Sequence, residues 1–261
     1  MDKLSALIFD VDGTLADTER DGHRVAFNRA FEESGLDWYW DQARYGELLR
    51  VTGGKERIRL YLAEAHPDLL RAPDIEARIR ALHGAKTRHY LALLEAGAIP
   101  LRPGVRRLLQ EARAAGLRLA IATTTTPENV TTLLRTALGA DGLQWFEVIA
   151  AGDIVSAKKP APDIFHLALS ELGLAPAACL ALEDSANGLR AALGAGLPTV
   201  VTTNGYTRDQ DFSGAVAVLN GFGEPGAPVT VQAGTPPASG HVDVASLKTW
   251  HQEAQRPARA P

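Results

Sequence analysis

The chain has 261 residues, 46% hydrophobic and 22% charged, with a formal net charge of −4. That is ordinary for a soluble globular protein of one large or two moderate domains, and it gives no basis for binding nucleic acid or an anionic membrane. One cysteine, Cys179, excludes a disulfide within the chain, and no leader-like or membrane-spanning apolar run is found, so an untargeted cytoplasmic protein is expected.

The first predicted element is a short buried strand, Ala6 to Phe9, ending in Asp10 and Asp12 with Gly13 and Thr14 behind them. A long stretch of helical periodicity follows. Phe27, Ala30 and Phe31 mark one apolar face, Ile58, Tyr61, Leu62 and Ala65 another, and Ile75, Ile79 and Leu82 a third. From Pro103 the rhythm changes. A helix over Val105 to Ala112 stops at Gly116, then Leu117 to Ala122 reads as a strand and Pro127 to Leu138 as a helix. Phe146 to Ala150 is a predicted strand and Pro160 to Leu172 a helix. Cys179 to Leu182 is a strand, Asn187 to Leu193 a helix and Pro198 to Thr202 a strand. Residues 222–240, rich in Gly and Pro, read as an extended loop. Val244, Leu247 and Trp250 suggest a short terminal helix, and Gln255 to Pro261 a frayed end.

Strands alternating with helices predict an α/β fold, a doubly wound parallel sheet with a Rossmann-like core. The expected division is residues 1–18 and 98–261 for the core and 19–97 for an inserted α-helical domain. Leaving from the carboxyl edge of strand one, such an insertion suits a lid.

Polar residues end each core strand. Asp10 and Asp12 end the first, and the run Thr123 to Thr126 ends the next, before a helix opening at Pro127. Those hydroxyls and helix N–H groups suit an anion, although simple capping needs one threonine only. Lys158-Lys159-Pro160 precedes a helix, and Glu183-Asp184-Ser185 closes a further strand; separately these read as a solvated pair and a helix cap. Together they converge on one sheet edge. Two acidic clusters can hold Mg²⁺, lysine and hydroxyl can hold phosphoryl oxygens, and a carboxylate can attack phosphorus.

The ordered motifs D-V-D-G-T, T-T, K-P-A-P-D and E-D-S resemble those of the haloacid dehalogenase superfamily of phosphohydrolases, and the inserted helices resemble its helical-cap subclass. The resemblance runs from about Ala6 to Gly205. It implies that Asp10 is the nucleophile and Asp12 the general acid, then base, with its main-chain carbonyl on the metal. It further implies that Thr123 and the Thr124 backbone bind the phosphoryl group and that Lys159 neutralises charge. Asp184 would ligate Mg²⁺, with Glu183 a ligand or a residue beside it.

Substrate choice falls to the inserted helices. Glu19, His23, Arg50, Gly53, Gly54, Lys55 and Arg57 are the candidate contacts, the glycines for close backbone approach and the basic residues for a second anionic group. The bland alternatives are a core-edge histidine beside Phe27 and Phe31, and a solvated basic face. The stretches A-D-T-E-R-D-G-H-R-V-A-F-N, V-T-G-G-K-E-R and A-L-E-D-S-A-N-G-L-R resemble the CbbY-type phosphatases of Calvin-cycle bacteria and plastids. That implies xylulose 1,5-bisphosphate as substrate. The expected partner is a small sugar phosphate, and the expected state a monomer. Rival readings are a β-phosphoglucomutase-like mutase, a phosphatase for other sugar phosphates or phosphoglycolate, and a catalytically silent phosphosugar-binding module. Against the mutase, T-T-T-T-P-E-N lacks the lysine that mutase-like sequences carry there.

Overall fold

A computed structural model describes residues 3–51 and 53–256. In chain order the elements are β1 (Ala6–Phe9), α1 (Arg24–Glu33), α2 (Gln42–Leu48), α3 (Gly54–Ala65), α4 (Ile75–Glu95), α5 (Val105–Ala114), β2 (Arg118–Thr123), α6 (Pro127–Leu138), β3 (Val148–Ala151), α7 (Asp163–Leu172), β4 (Cys179–Glu183), α8 (Ala186–Gly194), β5 (Thr199–Thr202), β6 (Ala217–Leu219), β7 (Val231–Ala233) and α9 (Val244–Ala254). They form two compact units, Met1–Asp17 with Pro100–Pro261, and Thr18–Ile99.

The first unit is built on one seven-stranded sheet of order β3-β2-β1-β4-β5-β6-β7. The first six strands are parallel and β7 runs antiparallel on β6. β1 lies between β2 and β4, with Phe9 level with Ile121 and Leu182, so Asp10, Thr123 and Glu183 emerge at one edge. Successive crossovers run outward in opposite directions from β1 and β4. Such a topological switch point opens a crevice at the carboxyl ends of the strands. Strand side chains alternate between faces. Ala6, Ile8, Ala120, Ala122, Cys179 and Ala181 pack on Ile164, Phe165 and Ala168 of α7 and on Ala191 and Ala192 of α8. The small residues let the helices approach closely. Cys179 is one of these packing residues, and burial pushes its thiol up to about 11, far from a reactive thiolate.

Three expectations need correction. The helix expected from Pro160 begins at Asp163, with Pro162 at its cap, because a residue preceding proline is driven out of the helical region and Ala161 precedes Pro162. Residues 222–240 are not wholly loop, since Val231–Ala233 adds an antiparallel strand. Its partner, Ala217–Leu219, is absent from the elements read from sequence. A strand of three residues is too short to carry a legible period. The terminal helix is longer than its apolar residues alone suggest: Asp243 and Ser246 form a reciprocal cap at its start, and Trp250 donates its indole N–H to the Thr235 carbonyl. The chain beyond Arg256, where fraying is expected, lies outside the described residues.

In the second unit, α1 packs along α4. A single wide turn, Glu19–His23, runs into α1. Gly22 there lies so close to Tyr90 and Ile99 that a Cβ would come within 2.6 Å of both. Phe27, Phe31, Trp40 and Tyr45 form a buried aromatic core, with ring centroids of Phe27 and Trp40 4.7 Å apart. Of the α3 face, Ile58 and Leu62 are buried, Tyr61 half-buried and Ala65 exposed.

Candidate active site

The chain leaves β1 through a tight reversal in which the Gly13 N–H donates to the Ala16 carbonyl at 2.8 Å. Gly13 has φ +85°, and a Cβ there would fall 2.2 Å from Asp184 Oδ2 and 2.7 Å from Asn204 Nδ2. Glycine is required twice over, by a left-handed conformation and by the closeness of a carboxylate. The reversal keeps Asp10 and Asp12 at the sheet edge.

Lys159 sits between two acids. Its ammonium donates to Asp10 Oδ1 at 2.6 Å, to Glu183 Oε1 at 2.6 Å and to the Ala122 carbonyl at 2.9 Å. Those contacts use all three of its donors. Its neighbour Lys158 is exposed and pairs with Asp153 at 2.6 Å, so only one lysine of the pair reaches the edge. Burial would drain the Lys159 charge, but Asp10 and Glu183 outweigh it and raise its pKa.

Asp10, Glu183 and Asp184 bring carboxylate oxygens within 4.8 Å of one another, all three residues buried. Burial, opposed by Lys159 and reinforced by Glu183, pushes Asp10 up to about 7. Burial, then Glu183 and Asp10, raise Asp184 well above the usual carboxylate range, against Arg102 and Asn204. Three clustered carboxylates, two of them on the Lys159 ammonium, form an all-oxygen donor set that fits a hard divalent cation. Glu183 is already engaged on both oxygens, since its Oε2 accepts the Asp184 N–H at 3.1 Å.

Thr123 is buried, and its hydroxyl favours the ionised form of Asp10 while accepting the Thr125 N–H at 3.3 Å. Thr124 is half-buried. Thr126 stands at the cap of α6 without a side-chain capping bond, ahead of Pro127. Capping therefore does not explain the threonine run. Thr125, which sequence reasoning passed over within that run, donates its hydroxyl to Asp12 Oδ2 at 2.5 Å. Nor do the paired acids cap α8, because Ser185 accepts the Gly188 N–H. Asn204 is a second residue missed: its amide donates to Asp184 Oδ2 at 2.7 Å. Its only sequence signal was an Asn-Gly pair after a predicted strand, which reads as a plain turn.

In the helical unit the candidates divide. Arg57 is buried and donates to the Tyr45 hydroxyl at 2.7 Å, and that hydroxyl in turn bonds Glu19. His23 is buried, stacked on Tyr90 with centroids 3.9 Å apart, and its Nδ1 lies 2.8 Å from Lys86 Nζ. An ammonium only donates, so Nδ1 accepts and the ring proton resides on Nε2. The core-edge alternative for His23 is thus partly right: it is buried, but with a cation as partner. Arg50 is exposed and paired with Glu64, so it does not join Arg57. Lys55 is exposed in the first turn of α3 behind Gly53, which has φ +101°. Gly54 opens that helix close to the His83 ring. Thr52, from the same loop, lies outside the described residues.

A family model for haloacid dehalogenase-like hydrolases matches residues 4–196. The CbbY protein of Cupriavidus necator is 49% identical over 250 residues, covering 95% of this chain and 97% of that one. CbbY of Rhodobacter sphaeroides, solved in complex with phosphate, is 49% identical with a TM-score of 0.72, covering 84% of this chain and 94% of that one. A mutant of the same protein, solved with xylulose 1,5-bisphosphate, gives 49% identity and a TM-score of 0.74 over 85% and 96% of the two chains. With the family match spanning most of its length, the chain belongs to the haloacid dehalogenase-like hydrolases and is a phosphatase among them.

Proposed function

We propose that this protein is a Mg²⁺-dependent sugar-bisphosphate phosphatase that converts xylulose 1,5-bisphosphate to xylulose 5-phosphate and phosphate. The observation that carries the chemistry is Asp10, a buried carboxylate held by Lys159 at 2.6 Å beside two further acids. The substrate assignment rests on the similarity to a CbbY protein solved with that bisphosphate.

In this reading an Asp10 carboxylate oxygen forms a bond to phosphorus as the bond from phosphorus to the sugar oxygen breaks. The electron pair leaves on that oxygen, which takes the proton of Asp12. Asp12, now a carboxylate, removes a proton from water as the water attacks phosphorus, and the aspartyl–phosphate bond breaks to restore Asp10. Lys159 and Thr123 hold the equatorial oxygens together with the Thr124 main chain. Bound at Asp10, the Asp12 carbonyl and Asp184, Mg²⁺ would supply neutralisation of the charge that builds on those oxygens. Glu183 serves by keeping Lys159 in place, with metal ligation as its alternative role. Glu19, His23, Lys55 and Arg57 of the helical unit, with Gly53 and Gly54, select the sugar and its second phosphate.

The test is phosphate release across sugar mono- and bisphosphates, with the product followed by ³¹P NMR. Release of one phosphate from xylulose 1,5-bisphosphate to give xylulose 5-phosphate is expected, and an isomerised sugar phosphate would instead mean a mutase. Asp10→Asn should lower turnover on the order of 10⁴-fold or more while leaving the circular dichroism unchanged. Near-normal release by that variant would remove Asp10 as nucleophile.

A further inference from the structure

Arg102 lies in the short segment before α5, and the chemistry above does not use it. Its side chain is 6% exposed. A buried guanidinium is costly unless its donors are met, and here they are met by one set of loops. Nη1 donates to the Gly13 carbonyl and to the carbonyl and hydroxyl of Thr202, at 2.9 and 3.2 Å for the latter two. Nη2 donates to the carbonyls of Thr203 at 2.6 Å and Asn220 at 3.2 Å. Nε stands 3.5 Å from Asp17 Oδ1. The Arg102 main chain is fixed as well, its N–H donating to the Leu15 carbonyl at 2.8 Å while Leu101 bridges to Ala16.

One planar fork therefore ties the reversal after Asp12 to the ends of β5 and β6. Both tied segments bear on the acids. The Gly13 backbone lies directly against the Asp184 carboxylate, and Asn204, next after the clamped Thr203, donates to that carboxylate at 2.7 Å. We infer that Arg102 is a positioning residue, which sets the spacing of the Gly13 reversal and the Thr203–Asn204 strand end and so aligns Asp184 with the Asp12 main chain for the divalent cation. This rests on the proposed Mg²⁺-dependent reading. Lysine would keep the charge but lacks the fork that spans both loops.

The test compares wild type, Arg102→Lys and Arg107→Lys by calorimetric titration with Mg²⁺ and by kinetics at saturating Mg²⁺. Arg107 is the control. It is a similarly multidentate arginine, on α5, that holds the Gly223 and Val242 carbonyls at 2.9 and 3.0 Å and pairs with Glu111 and Glu224, and among the described residues it makes no bond to Gly13, Thr203 or the cluster of Asp10, Glu183 and Asp184. Arg102→Lys should weaken Mg²⁺ binding about tenfold or more and lower kcat alongside, the scale on which residues behind a metal ligand act. Its substrate KM should stay within about threefold, because the substrate's own contacts are untouched. Arg107→Lys should lower Tm and leave Mg²⁺ affinity unchanged. Unaltered Mg²⁺ affinity in Arg102→Lys, or equal weakening in Arg107→Lys, overturns the inference. Should Arg102→Lys fail to fold, Asn204→Ala carries the test and must reproduce the Mg²⁺ loss, an unchanged affinity overturning the inference. A wild-type protein that binds no Mg²⁺ would overturn the functional reading itself and the inference with it.

Discussion

At the scale of single residues, the hydrogen bond from Thr125 to Asp12 separates the tasks proposed for the two carboxylates. Asp10 faces an ammonium, whereas Asp12 receives a neutral hydroxyl at 2.5 Å. A hydroxyl fixes one oxygen of Asp12 without forbidding its protonation, as a group that must serve as acid and then base requires. Thr125→Val should therefore lower kcat on a sugar phosphate by about ten- to a hundredfold, the range of a lost hydrogen bond to a charged group. An aryl phosphate, whose leaving group needs no proton, should suffer less, and Thr125→Ser should restore both. Equal loss on the two substrates in steady-state assays would count against this role.

At the scale of elements, the turn Glu19–His23 and α1 pack on α4 across a buried cation–imidazole pair. Burial, then the charges of Lys86 and Arg57, hold the His23 pKa well below 6.5. The folded unit therefore keeps His23 neutral where the unfolded chain takes up a proton. The unfolded state then binds more protons below pH 6.5, so stability is complete above that value and falls with acidification. His23→Gln should flatten this slope. Between pH 6.5 and 5.5 the wild type should lose about 1 kcal/mol more than the variant in urea unfolding. Parallel profiles would show that His23 already titrates in the folded state. The strands β6 and β7 belong to this scale too. Three residues apiece, they are held by pairing with a neighbour rather than by a pattern of their own.

At the scale of the whole molecule, the two units divide the labour proposed for them. The sheet unit carries the acids and lysine, and exhaustive chelation should stop phosphate release until Mg²⁺ is returned; activity that survives chelation would mean the acidic cluster serves another purpose. Selection is the part proposed for the helical unit. Lys55, exposed in the first turn of α3, should meet the second phosphate. Lys55→Ala should then reduce kcat/KM for the bisphosphate by roughly one to two powers of ten, a charge-assisted contact's worth, and spare a small aryl phosphate. Equal losses on both would assign Lys55 to the folding of its own unit, and no loss on either would leave it a solvated lysine.

The alternation of strands and helices, the inserted helical stretch, and the order of the acids, threonines and lysine along the strand ends are legible in the sequence. All of these are local. Backbone preferences act over a few residues, so an apolar run that stops at Asp10 or Glu183 is visible without its neighbours. What meets what is settled by the folded chain. Thr125 reaches Asp12 across 113 positions, and Arg102 reaches Gly13 across 89 and Asn220 across 118. In the sequence Arg102 is one arginine before a proline, indistinguishable from a solvated residue. Arg50 and Arg57 read alike there, yet one is exposed on Glu64 and the other buried on Tyr45. Burial and partnership depend on chain segments distant in sequence. A charged side chain carries no periodic sign of which segment will close over it, because the low dielectric and the waiting carbonyls exist only once the chain has folded.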